Sequence, residues 1–153
     1  GKNVKIKINN TTTNLKIKDD TIICVKLKYK YIINNRLVYN FYLDFNTYKS
    51  IKIDSKNRIY IEPEIKLLDD SLCGSVKGII HTKNTLPYLI LASKTDTFGT
   101  LPLKNGKFYF KHIPENTYSL AVFENFTEQD IIIDSIKVEN KKVTGVGTIN
   151  YFK

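Results

Sequence analysis

Four tyrosines fall off the alternation that otherwise sorts the apolar residues of this chain: Tyr42, Tyr48, Tyr60 and Tyr109. A tyrosine ring on the solvent face of a strand offers a sugar or a peptide a flat surface to stack on. These four are therefore the candidate ligand-facing residues, against the plainer reading that tyrosines coat strand surfaces because they fit there. The carboxylates offer less. Asp44 and Asn46 share a strand face and would need a third oxygen donor to hold Ca²⁺, and no dense oxygen-ligand loop surrounds them. Asp54, Asp69 and Asp70 lie in strand or turn contexts, with no cleft to set up an acid/base pair. His81 and His112 have no partner at metal-ligand spacing and read as ordinary strand or turn residues. Cys24 and Cys73 lack metal spacing as well; they are either both free or joined in one bridge. No Gly-x-Ser-x-Gly, phosphate-cradling glycine loop or His-Glu-x-x-His occurs. The sequence therefore predicts no catalytic residue, no metal site and no cofactor.

A formal charge of +9 invites a nucleic-acid reading. Three features oppose it. Of the 24 basic residues only Arg36 and Arg58 are arginine, the better reader of phosphate and base edges. The lysines of "VKIKI" and "VKLKYKY" alternate with apolar residues, which puts Lys26, Lys28 and Lys30 on the solvent face of a strand and Tyr29 and Tyr31 on the other. The excess is also spread, with 14 basic and 8 acidic residues in 1–70 and 10 and 7 in 71–153. The expectation is a solvated sheet face and no nucleic-acid partner.

The elements that must carry these residues are strands almost throughout. "TIICVKLKYKY" and "LVYNFYLDF" flank the turn "INNR" and predict a hairpin; "KSIKI" and "RIYIEPEIKLL" flank "DSKN" and predict another, with Pro63 bending the strand or confining it to an edge. Six further strand-like runs follow "LLDDSLCG". No stretch of ten residues holds a helical period, and the best helical candidate is one turn near "ENFTEQD". The predicted fold class is all-β: two small β-sandwich domains in tandem, 1–70 and 71–153.

One phrase is physically explicit. In "NGKFYFKHIPENTYSLAV", residues 105–122, Gly106 takes a turn conformation that other residues resist. Phe108 and Phe110 point to one face, and Ile113 closes the strand. Pro114 stops ladder pairing, Asn116 is suited to a left-handed turn, and Tyr118, Leu120 and Val122 alternate back into the core.

That phrase resembles the core motif of the carboxypeptidase regulatory-like domain, a transthyretin-like β-sandwich: Asp/Asn-Gly-x-Phe-x-Phe, then Pro-x-Gly-x-Tyr-x-(apolar)-x-Val, with Asn116 where the family usually has Gly. "GSVKGII" at 74–80 is similar to the family's opening strand, and "IKVENKKVTGVGTI" to its closing hairpin, so the likeness covers 74–150. In the first half, Leu43, Asp44, Phe45, Ser50, Ile61, Pro63 and Ile65 match a pattern that resembles the C-terminal part of an uncharacterised domain of bacterial surface lipoproteins, in a shortened version. Asn46 stands for an Asp there and Ile59 for a Tyr.

These resemblances imply a non-enzymatic extracytoplasmic module of a bacterial surface lipoprotein, periplasmic or on the cell surface, with a structural, adhesive or assembly role. Its partner would be a protein or glycan at the cell surface, and its lipid anchor would lie in a removed N-terminus, consistent with a chain that starts at Gly1 and has no Met. Two alternatives stand beside it: a carbohydrate- or peptide-binding module using the exposed tyrosines, and an accessory domain of an enzyme whose catalytic part is absent. Lys77 and Asn150, in the first and last strands of the second half, are the pair to examine for an isopeptide bond.

Overall fold

A computed structural model describes residues 4–8, 11–17, 36, 38–83, 86–124 and 128–152. The fold is all-β and sandwich-like, and the chain forms two compact units. The first comprises Gly1–Lys30 and Asp44–Lys66, the second Tyr31–Leu43 and Leu67–Lys153. Of the hairpin expected over 21–45, residues 21–35, with Cys24 and Lys26–Lys30, lie outside the described residues, and the second arm is seen as a strand over Phe41–Phe45.

In the first unit β1 (Val4–Ile8) pairs antiparallel with β2 (Thr11–Ile17). Strand β3 (Phe41–Phe45), whose first three residues belong to the second unit, leads into a single helical turn of the first, α1 (Thr47–Ser50). Next come β4 (Ile51–Ile53), β5 (Ile59–Ile61) and β6 (Ile65–Asp69), which passes into the second unit at Leu67. The expected second hairpin forms from β4 and β5, with Ile51 opposite Ile61 and Ile53 opposite Ile59. Asp54 closes its turn: Oδ1 accepts from the Lys56 and Arg58 amides and Oδ2 from Arg58 Nε, which holds the carboxyl below its usual range. Asn57 sits there at φ +55°, which its short polar side chain tolerates. β2 adds parallel to β5, giving the order β1-β2-β5-β4. The break between β5 and β6 contains Pro63, which has no amide to donate.

The second unit is built from two facing sheets. After a 3₁₀ turn at Asp70–Leu72 come β7 (Cys73–Thr82), β8 (Tyr88–Ala92), β9 (Thr97–Thr100) and β10 (Lys107–Pro114). β11 (Asn116–Glu124), β12 (Glu128–Val138) and β13 (Val143–Tyr151) complete it. The sheets run β10-β7-β13 and β12-β11-β8-β9. Strand alternation sends Val76, Ile80, Phe108, Phe110, Ile113, Ile149 and Tyr151 inward from the first, and Leu89, Leu91, Phe98, Tyr118, Leu120, Val122, Ile136 and Val138 from the second, into one core. Each such side chain contributes roughly 1.5–3 kcal/mol through burial.

The helical turn expected near "ENFTEQD" centres on 125–127, which lie outside the described residues, between Glu124 at the end of β11 and Glu128 at the start of β12. Two expectations need correction. Residues 136–149 do not make a hairpin within one sheet. β13 leaves β12 and pairs parallel with β7, because the turn after β12 is captured by the start of β7: Lys141 N donates to Cys73 O (2.8 Å) and Ser75 N to Lys142 O (2.9 Å). Gly74 permits this, since any Cβ there would strike the Glu139 carbonyl. Asn116, finally, is not left-handed. It begins β11, and its Oδ1 accepts from the Thr117 amide (2.8 Å).

Candidate functional site

The outer face of the β10-β7-β13 sheet carries a groove that could take a ligand. Tyr109 points away from Phe108 and Phe110 and is 45% exposed. Directly across the sheet stand Lys77 on β7 and then Gly145 on β13; the next rung runs Lys107, Ile79, Thr148. Between those rungs β13 bulges at Gly147, which holds φ +75°. A Cβ at Gly145 or Gly147 would meet nothing within 4 Å. The two glycines thus leave a shallow groove of about 390 Å³ beside the Tyr109 ring, rimmed by Lys77 and Lys107. Strand alternation puts Lys111 on the same face. Lys77, Lys107 and Lys111 have no carboxylate partner among the described residues, whereas Glu139 engages both Lys137 and Lys142 and is held down at about 2 by them.

A second cluster surrounds His112. Phe110 and Ile113 are both core residues, so two residues occupy the interval where alternation allows one. β10 therefore bulges, and His112 takes φ +55°. Its Nδ1 lies 3.0 Å from Asp70 Oδ1, and the Tyr42 ring stacks on the imidazole with centroids 3.4 Å apart and planes 19° apart. One face of Tyr42 is thus occupied. The sequence missed this role for His112; the signal was the three-residue spacing from Phe110 to Ile113.

The other candidates are structural or separate. Tyr60 is half-buried on β5 opposite Lys52, in the first unit, and the Tyr48 side chain lies outside the described residues. Asn46 is buried and caps α1: its Oδ1 accepts from Lys49 N (3.0 Å), its carbonyl accepts from Ser50 Oγ (2.6 Å), and Ser50 Oγ accepts from Glu64 N (2.9 Å). Asn46 and Ser50 therefore build a capped turn, and Asn46 Oδ1 is committed to that turn. Asp44 is raised above the usual carboxylate range by burial, opposed by Lys66. No cluster of three or more His, Cys, Asp or Glu able to hold a metal occurs among the described residues. Lys77 stands opposite Gly145 and Asn150 opposite His81, four residues farther along β7, so the isopeptide pairing is out of register.

Gly106 has φ +77°, and its carbonyl accepts from Ile80 N (2.8 Å), locking the turn onto β7. Tyr118 is buried, meets Phe98 edge-on at 6.2 Å, and donates its hydroxyl to Pro114 O (2.9 Å), tying the corner between β10 and β11. Burial above all, then the Asp96 and Cys73 charges, pushes its phenol well above the ordinary range. Cys73 is a buried free thiol, pushed up to about 11 by desolvation and by Asp70 and Asp69. No helix among the described residues is long and apolar enough to cross a membrane.

No family model matches the chain, and no curated protein matches it. Among solved structures, the Bacillus anthracis TIE protein is similar over 67% of this chain at 8% identity, with a TM-score of 0.40. The chain spans 22% of that structure's length. A likeness at that level assigns neither a shared fold family nor a function.

Proposed function

We propose that the chain is a non-enzymatic, extracytoplasmic module of a bacterial surface lipoprotein, with a structural or adhesive role, and that its second unit is a carboxypeptidase regulatory-like sandwich. The observation that carries this is the corner formed by residues 105–122. Gly106 turns onto β7, Phe108 and Phe110 fill the core, and Tyr118 returns its hydroxyl to the Pro114 carbonyl. Every distinctive residue of the resembling motif except Asn116 thus has a physical job in closing the sandwich. A core filled from both sheets makes a stiff spacer or display platform, which suits a tethered surface module.

The test is fractionation of the native host, with the chain detected by antibody. Recovery with the envelope or periplasm, as a lipid-labelled species, supports the reading. Recovery in the cytosol without lipid overturns it.

A further inference from the structure

We propose that the outer face of the β10-β7-β13 sheet binds an acidic polysaccharide, one sugar ring lying over Gly145 and Gly147 against Tyr109 and its carboxylates meeting Lys77 and Lys107. This gives the adhesive part of the reading above a ligand class and rests on it for biological setting. The binding itself is measured on purified protein, so a wrong compartment and an empty groove are told apart.

Three observations choose the occupant. The groove lies over β7, which is paired on both sides by β10 and β13. Its backbone groups are spent in the ladders, so a peptide strand laid there would gain no main-chain hydrogen bonds, the source of affinity when strands add to a sheet. What the surface offers is one aromatic ring, open space over two glycines, Gly145 and Gly147, and cations. A flat, hydroxylated ring of saccharide size uses the first two, and the groove's volume of about 390 Å³ falls within the range of ~300–1,000 Å³ for small-molecule sites. The lysines on this face lack carboxylate partners among the described residues, so charge complementarity calls for an anionic sugar. Single-stranded nucleic acid is the weaker fit: it is held by successive stacking aromatics, and among the described residues Tyr109 is the one aromatic lining this groove.

The experiment is calorimetric titration at about 150 mM salt, where exposed charges are screened beyond roughly 8 Å. The probes are a short oligogalacturonate, a neutral cello-oligosaccharide and oligothymidylate. The expected result is saturable binding of the oligogalacturonate alone. Tyr109→Ala should weaken it about five- to ten-fold, as for loss of one stacking contact. Gly145→Thr, which puts a side chain into open space, should weaken it at least as much with an unchanged melting temperature. Tyr109→Phe should retain it. The proposal is overturned if oligogalacturonate fails to bind, if the neutral sugar or oligothymidylate binds as tightly, or if Tyr109→Ala and Gly145→Thr leave affinity unchanged.

Discussion

His112 Nδ1 and Asp70 Oδ1 meet at 3.0 Å across 42 positions of sequence, and the bond holds a histidine at φ +55° in a β-bulge. A left-handed conformation costs a residue with a Cβ about 1–2 kcal/mol. His112→Ala and His112→Gly both lose the Asp70 bond and the Tyr42 stack, so their difference isolates the backbone. His112→Gly should be the more stable by about 1 kcal/mol in urea denaturation. Equal or reversed stabilities would mean that the bulge relaxes out of this conformation.

Phe110 is 3% exposed and meets Phe108 edge-on at 6.1 Å. Phe110→Ala should cost about 3–5 kcal/mol by chemical denaturation, from lost burial and the cavity left behind. A loss below about 1 kcal/mol would contradict the register of β10 on β7.

Gly106 and Gly145 should respond oppositely to alanine. At Gly106 a Cβ meets the Ile80 carbonyl and φ is +77°; at Gly145 it meets nothing within 4 Å. Gly106→Ala should destabilise by at least about 1–2 kcal/mol, whereas Gly145→Ala should change the melting temperature little. Two equal losses would show that the groove floor is packed.

The chain should weaken in alkali. Cys73 and Tyr118 are acids whose folded pKa values lie above their unfolded ones, Cys73 at about 11 against 9.0. Folding therefore favours their neutral forms. For Cys73 that contribution is complete below about pH 9 and is lost as pH climbs from 9 through 11; for Tyr118 the loss starts only near its ordinary value of 10.0 and runs further into alkali. Urea midpoints at pH 8, 10 and 11 should fall in that order, and Cys73→Ser should flatten the part between 9 and 11. A slope identical to that of the parent would place the titration elsewhere.

The residue pattern made the core legible where it was local. Phe108, Phe110, Tyr118, Leu120 and Val122 declare their face by period two, and Gly106 its turn by residue type. What stayed hidden was long-range. Tyr42 and Asp70 reach His112 only through the path of the chain. The groove exists because β13 pairs parallel with β7, and a turn that looks like a hairpin says nothing about which sheet its second strand joins. Asn116 misled for a different reason: its ability to adopt a left-handed conformation is a permission, and here the residue joins the strand.

The parallel pairing of β7 with β13 also bears on tension. β7 is entered at Cys73 and β13 is left at Tyr151, with Val143 beside Ser75 and Tyr151 beside Thr82. A pull from the chain before β7 and the chain after β13 drives the two strands past each other along their length. Their rungs are then loaded together in shear rather than peeled one after another. The strands that begin and end the sandwich thus act as a clasp against stretching from its two ends.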